Sequence, residues 1–199
     1  MTLKLYFIPG RSWLPRWLLG ELEEPFELIV LDEAKREHKQ PAYLAVNPLG
    51  KLPALEHDGR VITETAAVCM YLADLRPERG LAPSTTAPDR GRYLTLMVHA
   101  STALEPSVLD VLLKRQSDPG MVGWSPMEDE FAFIEGHLGE GPFLFGDRFT
   151  AADVMIGGVL IWADQMQIAL PPKLDAYAKR LMKRPALATL FADAAKAAA

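Results

Sequence analysis

Cysteine is nearly absent from this chain. Cys69 is the only one in 199 residues, which excludes an internal disulfide framework and suits a reducing cytoplasm. Long apolar runs are missing too: the longest, Val154 to Ala163, is too short to cross a bilayer and is flanked by Asp153 and Asp164. The opening stretch "MTLKLYFIPG" has no apolar core followed by a small-residue cleavage site, so no secretion signal is expected. No basic stretch interleaved with aromatics occurs, and the formal charge is −5, so neither a nucleic-acid partner nor an acidic membrane partner is expected. His38, His57, His99 and His137 lie far apart without paired-ligand spacing, so no metal site is expected. What remains is 49% hydrophobic and 24% charged, the balance of an ordinary globular protein with one or two domains and a large core.

The first 80 residues and the rest read differently. Leu3 to Phe7 has strand character, and "SWLPRWLLGELEE", Ser12 to Glu24, places Trp13, Trp17, Leu18 and Leu22 at helical spacing. Pro15 falls in the first turn of that helix, where its missing N–H costs little, and Pro25 stops it. Phe26 to Leu31 reads as a second strand, and Asp32 to Gln40 as a loop or short helix. "KLPALEHDGRVIT" gives two short strands around Asp58-Gly59, a hairpin signal. "ETAAVCMYLADLRP" is a helix, apolar nearly all round, that Pro77 ends. The order β-α-β, a connection, then β-β-α describes a parallel crossover unit extended by an antiparallel hairpin.

"RPERGLAPSTTAPDRGR" is a linker by composition, and everything after it reads as helical. Asp89 to Gln116 is expected to be one long helix kinked at Pro106. "SPME" places Ser125 as an N-cap with Glu128 three residues on, and "FTAADV" pairs Thr150 with Asp153 in a capping box. Thr150 and Asp153 are therefore assigned to structure. Cys69, mid-helix among apolar neighbours, is assigned to the core.

The chemistry gathers in two places. In "YFIPGRSWLPRW" a strand runs into a helix through Pro9, Gly10, Arg11 and Ser12, so a hydroxyl and the free N–H groups of a helix start coincide. In "VNPLGKLPALEHDGRVITET" Pro53 opens a strand. A cis bond there would expose the N–H and C=O of Leu52 for pairing with an extended peptide. Eleven residues later Glu64 and Thr65 start the apolar helix, which offers N–H groups to a carboxylate while Glu64 accepts from an ammonium. The ligand that suits this pattern is a short peptide with an amino-acid head and a cysteine-like middle.

Those stretches, together with the linker and "PFLFGDRFTAADV", resemble the cytosolic glutathione transferase family of bacterial type, with theta- and beta-like features, over essentially the whole chain. The resemblance implies a thioredoxin-like β-α-β-α-β-β-α domain over residues 1–78, a linker at 79–88, and an all-helical domain over 89–199 that completes a pocket for a small hydrophobic electrophile. It also implies a cytoplasmic homodimer, with glutathione as co-substrate and no prosthetic group. By the same resemblance Leu52 before Pro53 clamps the cysteinyl part of glutathione, and Glu64 with Thr65 holds the γ-glutamyl head. His38, nine residues before Asn47-Pro48, and Lys51, two before Pro53, face the glycine carboxylate.

Ser12 stands where beta-class members have a cysteine, whereas theta-like members have a serine nearby; "PGRSW" matches neither pattern fully. Ser12 is taken as the activating residue, with Tyr6, Arg11 or the backbone N–H groups of the turn as alternatives. The electrophile pocket is expected to draw on Met97, Val98 and Thr102, with Trp162 and Met166 opposite. Peroxide reduction, isomerisation or dehalogenation with the same thiol, or a non-catalytic ligand carrier, are the rival activities.

Overall fold

A computed structural model describes the backbone of residues 2–9 and 12–197 and side chains through residue 192. It falls into two compact units, Met1–Arg76 with Ala186–Ala199, and Pro77–Pro185.

In the first unit, strand β1 (Leu3–Phe7) is followed by helix α1 (Trp13–Leu22), strand β2 (Glu27–Val30), a 3-10 turn (Glu37–Lys39) and the short helix α2 (Pro41–Leu44). Strands β3 (Ala54–His57) and β4 (Arg60–Thr63) and helix α3 (Thr65–Leu75) complete the sheet region. The sheet order is β2-β1-β3-β4, with β1 parallel to β2 and antiparallel to β3, and β3 antiparallel to β4. This is the thioredoxin-like arrangement that the resemblance implied. Leu3, Leu5 and Phe7 alternate inward from β1, while Lys4 and Tyr6 point to the other face. The hairpin forms as expected: Asp58 and Gly59 both have positive φ, 47° and 81°, the geometry that sends a tight turn back along the twist of its strands. Asp58 Oδ1 also accepts the Thr2 N–H at 2.8 Å. Cys69 in α3 is fully buried, and burial pushes its thiol well up, so it is an inert core residue.

The second unit contains α4 (Arg90–His99), α5 (Glu105–Leu112), α6 (Met127–Leu138), α7 (Ala151–Gln165) and α8 (Pro172–Leu181), and α9 (Pro185–Ala197) follows. From Ala186 onward α9 groups with the sheet, where the helical half was expected to run through to 199. A Cβ on Gly20 would lie 3.1 Å from the Cβ of Ala186, and the rings of Trp13 and Phe191 lie 5.8 Å apart. Apolar faces of α1 thus meet α9.

The long helix expected over Asp89 to Gln116 is broken more thoroughly than a kink. A π turn, Ala100–Leu104, separates α4 from α5, and the Glu105 N–H reaches back five residues to the Ala100 carbonyl. Pro106 explains the position: it has no N–H, and its ring would strike the carbonyl four residues back unless the turn widened. The helix also stops early, at Leu112, because Lys114 takes a left-handed conformation and the Arg115 N–H turns back to the Asp110 carbonyl at 2.8 Å.

The α6 start is corrected as well. Pro126, not Ser125, is the N-cap, and the carboxylate that returns to the Ser125 N–H, at 2.8 Å, belongs to Glu130 rather than Glu128. The Thr150–Asp153 capping box forms as read. Asp153, fully buried, accepts from the Thr150 N–H at 2.8 Å, the Leu144 N–H at 2.9 Å and the Tyr177 hydroxyl at 2.8 Å. Burial pushes its carboxyl up while these bonds pull it down. One carboxylate therefore fastens the start of α7, the preceding loop and α8.

Asp153→Ala should orphan four buried donors, the Thr150 and Leu144 N–H groups and the Thr150 and Tyr177 hydroxyls, at about 1–3 kcal/mol each. Urea unfolding followed by circular dichroism should show a loss of at least ~3 kcal/mol, against about 1 kcal/mol for Tyr177→Phe.

Candidate functional site

Strand register assembles the site. Tyr6 lies opposite Ala54, and Ala54 opposite Thr63, in one row across the sheet. The residues that follow β1, precede β3 and follow β4 therefore leave at the same end. These are Ile8 and Pro9, Pro53, and Glu64 at the start of α3.

Ser12 is the N-cap of α1, with φ 61° and ψ 13°. It is only 9% exposed, and its Oγ is shielded from solvent with no hydrogen-bond partner among the described residues. Buried hydroxyls are normally satisfied, so an orphan at a helix start asks for an acceptor. Arg11 and Gly10 lie outside the described residues. Tyr6, the alternative hydroxyl, donates to Glu56 Oε2 at 3.3 Å, and its ring lies 5.4 Å from that of Tyr43. Burial and the Glu56 charge raise its hydroxyl above the ordinary phenol value. Its proton is already engaged by Glu56.

Leu52–Pro53 is cis, as the reading of Pro53 anticipated. Pro53 is buried, Leu52 partly exposed and Lys51 exposed. His38 comes to the same stretch from the 3-10 turn: its carbonyl oxygen would lie 2.5 Å from a Cβ on Gly50. Gly50 has φ 56°, so it meets two constraints that only glycine satisfies cheaply. Lys39 Nζ donates to the Leu49 carbonyl at 2.8 Å, a second tie between that turn and the loop before β3. His38 Nδ1 is shielded and has no hydrogen-bond partner among the described residues.

Glu64 is exposed and holds φ 69° with ψ 126°, outside the left-handed helical well and in a region sparsely occupied by residues with a Cβ. Thr65 opens α3 directly after it. Two non-glycine residues with positive φ, Ser12 and Glu64, thus stand at one end of the sheet. Strain of this kind concentrates where a ligand is gripped.

The expected electrophile wall is less well defined. Met97 is fully buried and belongs to the core, whereas Val98 and Met166 are 44% and 47% exposed. A cavity of about 420 Å³ lies elsewhere in the helical unit, lined by Ser107, Asp110, Arg115, Trp124, Met127 and Glu128 among others. Asp110 accepts from the Trp124 indole at 2.9 Å and sits 3.1 Å from Arg115 Nε. Hydrogen bonds from Ser117 and Trp124, with the Arg115 charge, hold its carboxyl below the ordinary value. Among the described residues no group of three or more His, Cys, Asp or Glu could hold a metal ion, and no helix is long and apolar enough to cross a membrane.

Known proteins share this fold. Residues 1–74 match the family model "Glutathione S-transferase, N-terminal domain", and residues 123–193 match its "C-terminal domain" counterpart. A glutathione S-transferase of Xanthomonas campestris is 29% identical, with 90% of this chain aligned to 93% of that protein. The crystal structure of a glutathione transferase from Methylococcus capsulatus superposes with a TM-score of 0.81 at 32% identity, covering 97% of this chain and 98% of that one. A sphingomonad glutathione S-transferase complexed with glutathione gives a TM-score of 0.79 at 29% identity, covering 96% and 98%. The chain belongs to the glutathione S-transferase family, an enzyme family whose activity is glutathione transfer.

Reading residue types along the chain missed the role of Gly50 in seating His38 against the loop. The Asn47-Pro48-Leu49-Gly50 run carried the signal, but the partner that makes Gly50 necessary is distant in sequence. Gly50→Ala should cost about 1–3 kcal/mol of strain. Scanning calorimetry should then show Tm lower by several degrees, at roughly 2–4 °C per kcal/mol for a chain of this size.

Proposed function

We propose that the protein binds glutathione at the end of the sheet, holds the sulfur as a thiolate beside Ser12, and transfers it to a small apolar electrophile. The observation that carries this reading is the Ser12 hydroxyl, buried at the start of α1 without a hydrogen-bond partner among the described residues. Leu52 offers its N–H and C=O to the cysteinyl part of the ligand. Glu64 takes the γ-glutamyl ammonium, and Thr65 with the first N–H groups of α3 takes its carboxylate. Lys51 and His38 face the glycine carboxylate.

A free thiol with a pKa of about 8.5 is only a few per cent thiolate at neutral pH, and lowering that value by ~2 units needs ~2.7 kcal/mol of selective stabilisation. A hydrogen bond to a charged group supplies about 1.5–3 kcal/mol. The α1 N-terminus adds roughly 0.3–1. One hydroxyl at one helix start suffices without a general base. With an aryl halide the thiolate lone pair forms the new S–C bond, the carbon–halogen bond breaks, and halide leaves with the electron pair.

Ser12→Ala should raise the pKa of the bound thiol by about one unit or more, a shift worth ~1.4 kcal/mol, and lower turnover about tenfold or more. Glutathione affinity should stay near the parent value. Spectrophotometric titration of the glutathione complex, beside turnover with an aryl halide, measures both. Tyr6→Phe is the control, and a loss there in place of Ser12→Ala would move the role to Tyr6. Glu64→Ala should weaken glutathione in calorimetry.

The protein works in the cytoplasm as a homodimer in this reading. Val61 on the edge strand β4 and Tyr71 on α3 are 42% and 37% exposed, apolar surface of the sheet unit that a twofold-related copy would cover. Sedimentation at micromolar concentration should give twice the 22.0 kDa chain mass, and a single monomeric species would exclude the dimer.

A further inference from the structure

One backbone carbonyl in the sheet unit receives two buried side-chain donors. The Lys51 C=O accepts from the Tyr43 hydroxyl at 2.6 Å and from Asn47 Nδ2 at 2.8 Å. Tyr43 and Asn47 are 2% and 5% exposed. The Asn47 amide is oriented by its other end, because Oδ1 accepts the Leu49 N–H at 3.1 Å. Its own carbonyl takes the Gly50 N–H at 2.8 Å, closing the turn that leads into Lys51. Tyr43 comes from α2 and has no role in the site as read from the sequence.

We infer that Tyr43 and Asn47 are positioning residues for glutathione, gripping the Lys51 carbonyl so that the Leu52 N–H is aimed at the ligand and strengthened as a donor. The inference rests on the glutathione reading above. The Lys51–Leu52 peptide is trans, so its C=O and N–H lie in one plane and point in opposite directions. Two donors on the oxygen fix that plane and thereby fix where the N–H points. They also draw electron density from the peptide, and chains of hydrogen bonds polarise one another inside a protein. Burial pushes the Tyr43 hydroxyl up to about 12, so it remains a neutral donor through the physiological range. A loop that only needed its carbonyl satisfied would be served by one bond.

The test uses Tyr43→Phe, which keeps the ring packed on Tyr6, and Asn47→Ala as an independent arm. Calorimetry should show glutathione binding weakened about three- to tenfold in each, the scale of one neutral hydrogen bond, with a matching rise in KM. Turnover at saturating glutathione and the pKa of the bound thiol should stay within about twofold and a few tenths of a unit, because Ser12 is untouched. In the ligand-free protein the Leu52 amide resonance should move when either donor is removed, which a loss of stability alone would not produce. If the parent binds glutathione and a folded variant binds equally well, or if the Leu52 resonance does not move, the inference is overturned. If the parent itself fails to bind glutathione, the functional reading falls and takes this inference with it.

Discussion

Cross-strand register is the constraint on which the site depends. Tyr6 faces Ala54 and Ala54 faces Thr63, so three chain segments far apart in sequence leave the sheet at one end. A slip of one residue between β1 and β3 would turn Leu3, Leu5 and Phe7 outward and move Pro53 away from the α1 turn. The register is held by the buried alternation of β1, by the tight turn at Asp58-Gly59, and by the Lys4–Glu56 pair across the ladder at 3.1 Å. The half-buried ion pair agrees in geometry with the apolar pattern.

Given that frame, the unusual features of the sheet unit fall together. Ser12 and Glu64 hold positive φ without being glycine, and Ser12 Oγ has no partner among the described residues. Both stand at the start of a helix, beside backbone N–H groups that no helix can satisfy internally. The loop before β3 is the opposite case: the Lys51 carbonyl takes two side-chain donors, and Asn47 ties the turn that leads into it.

The helical unit is organised around a different device. Asp153 is a buried carboxylate whose acceptor capacity is consumed by the Thr150 N–H, the Leu144 N–H and the Tyr177 hydroxyl. Arg92 plays a similar part nearby, donating to the backbone carbonyls of His137 and Leu144. Charged side chains here serve the backbone, tying loops to helix ends. The apolar α7 can therefore be buried almost all round without leaving its first turn unsatisfied.

Local signals sufficed wherever the cause was local. The Asp58-Gly59 turn, the Thr150–Asp153 capping box, the strand opened by Pro53 and the helix opened by Thr65 follow from residue types at fixed short spacing, and each formed as read. Where distant partners compete, the sequence misled or stayed silent. Pro106 announced a distortion, but only packing decided that it would become a π turn with α5 ending at Leu112. Ser125 looked like a cap until Glu130, rather than Glu128, reached back to its N–H. The grouping of α9 with the sheet depends on Gly20 facing Ala186 and Trp13 facing Phe191, contacts across more than 160 residues. The convergence of Tyr43 and Asn47 on Lys51 depends on where α2 sits against the β3 approach. Hydrogen bonding within a few residues is written in order and spacing; which carbonyl a distant side chain reaches is decided only when the elements pack.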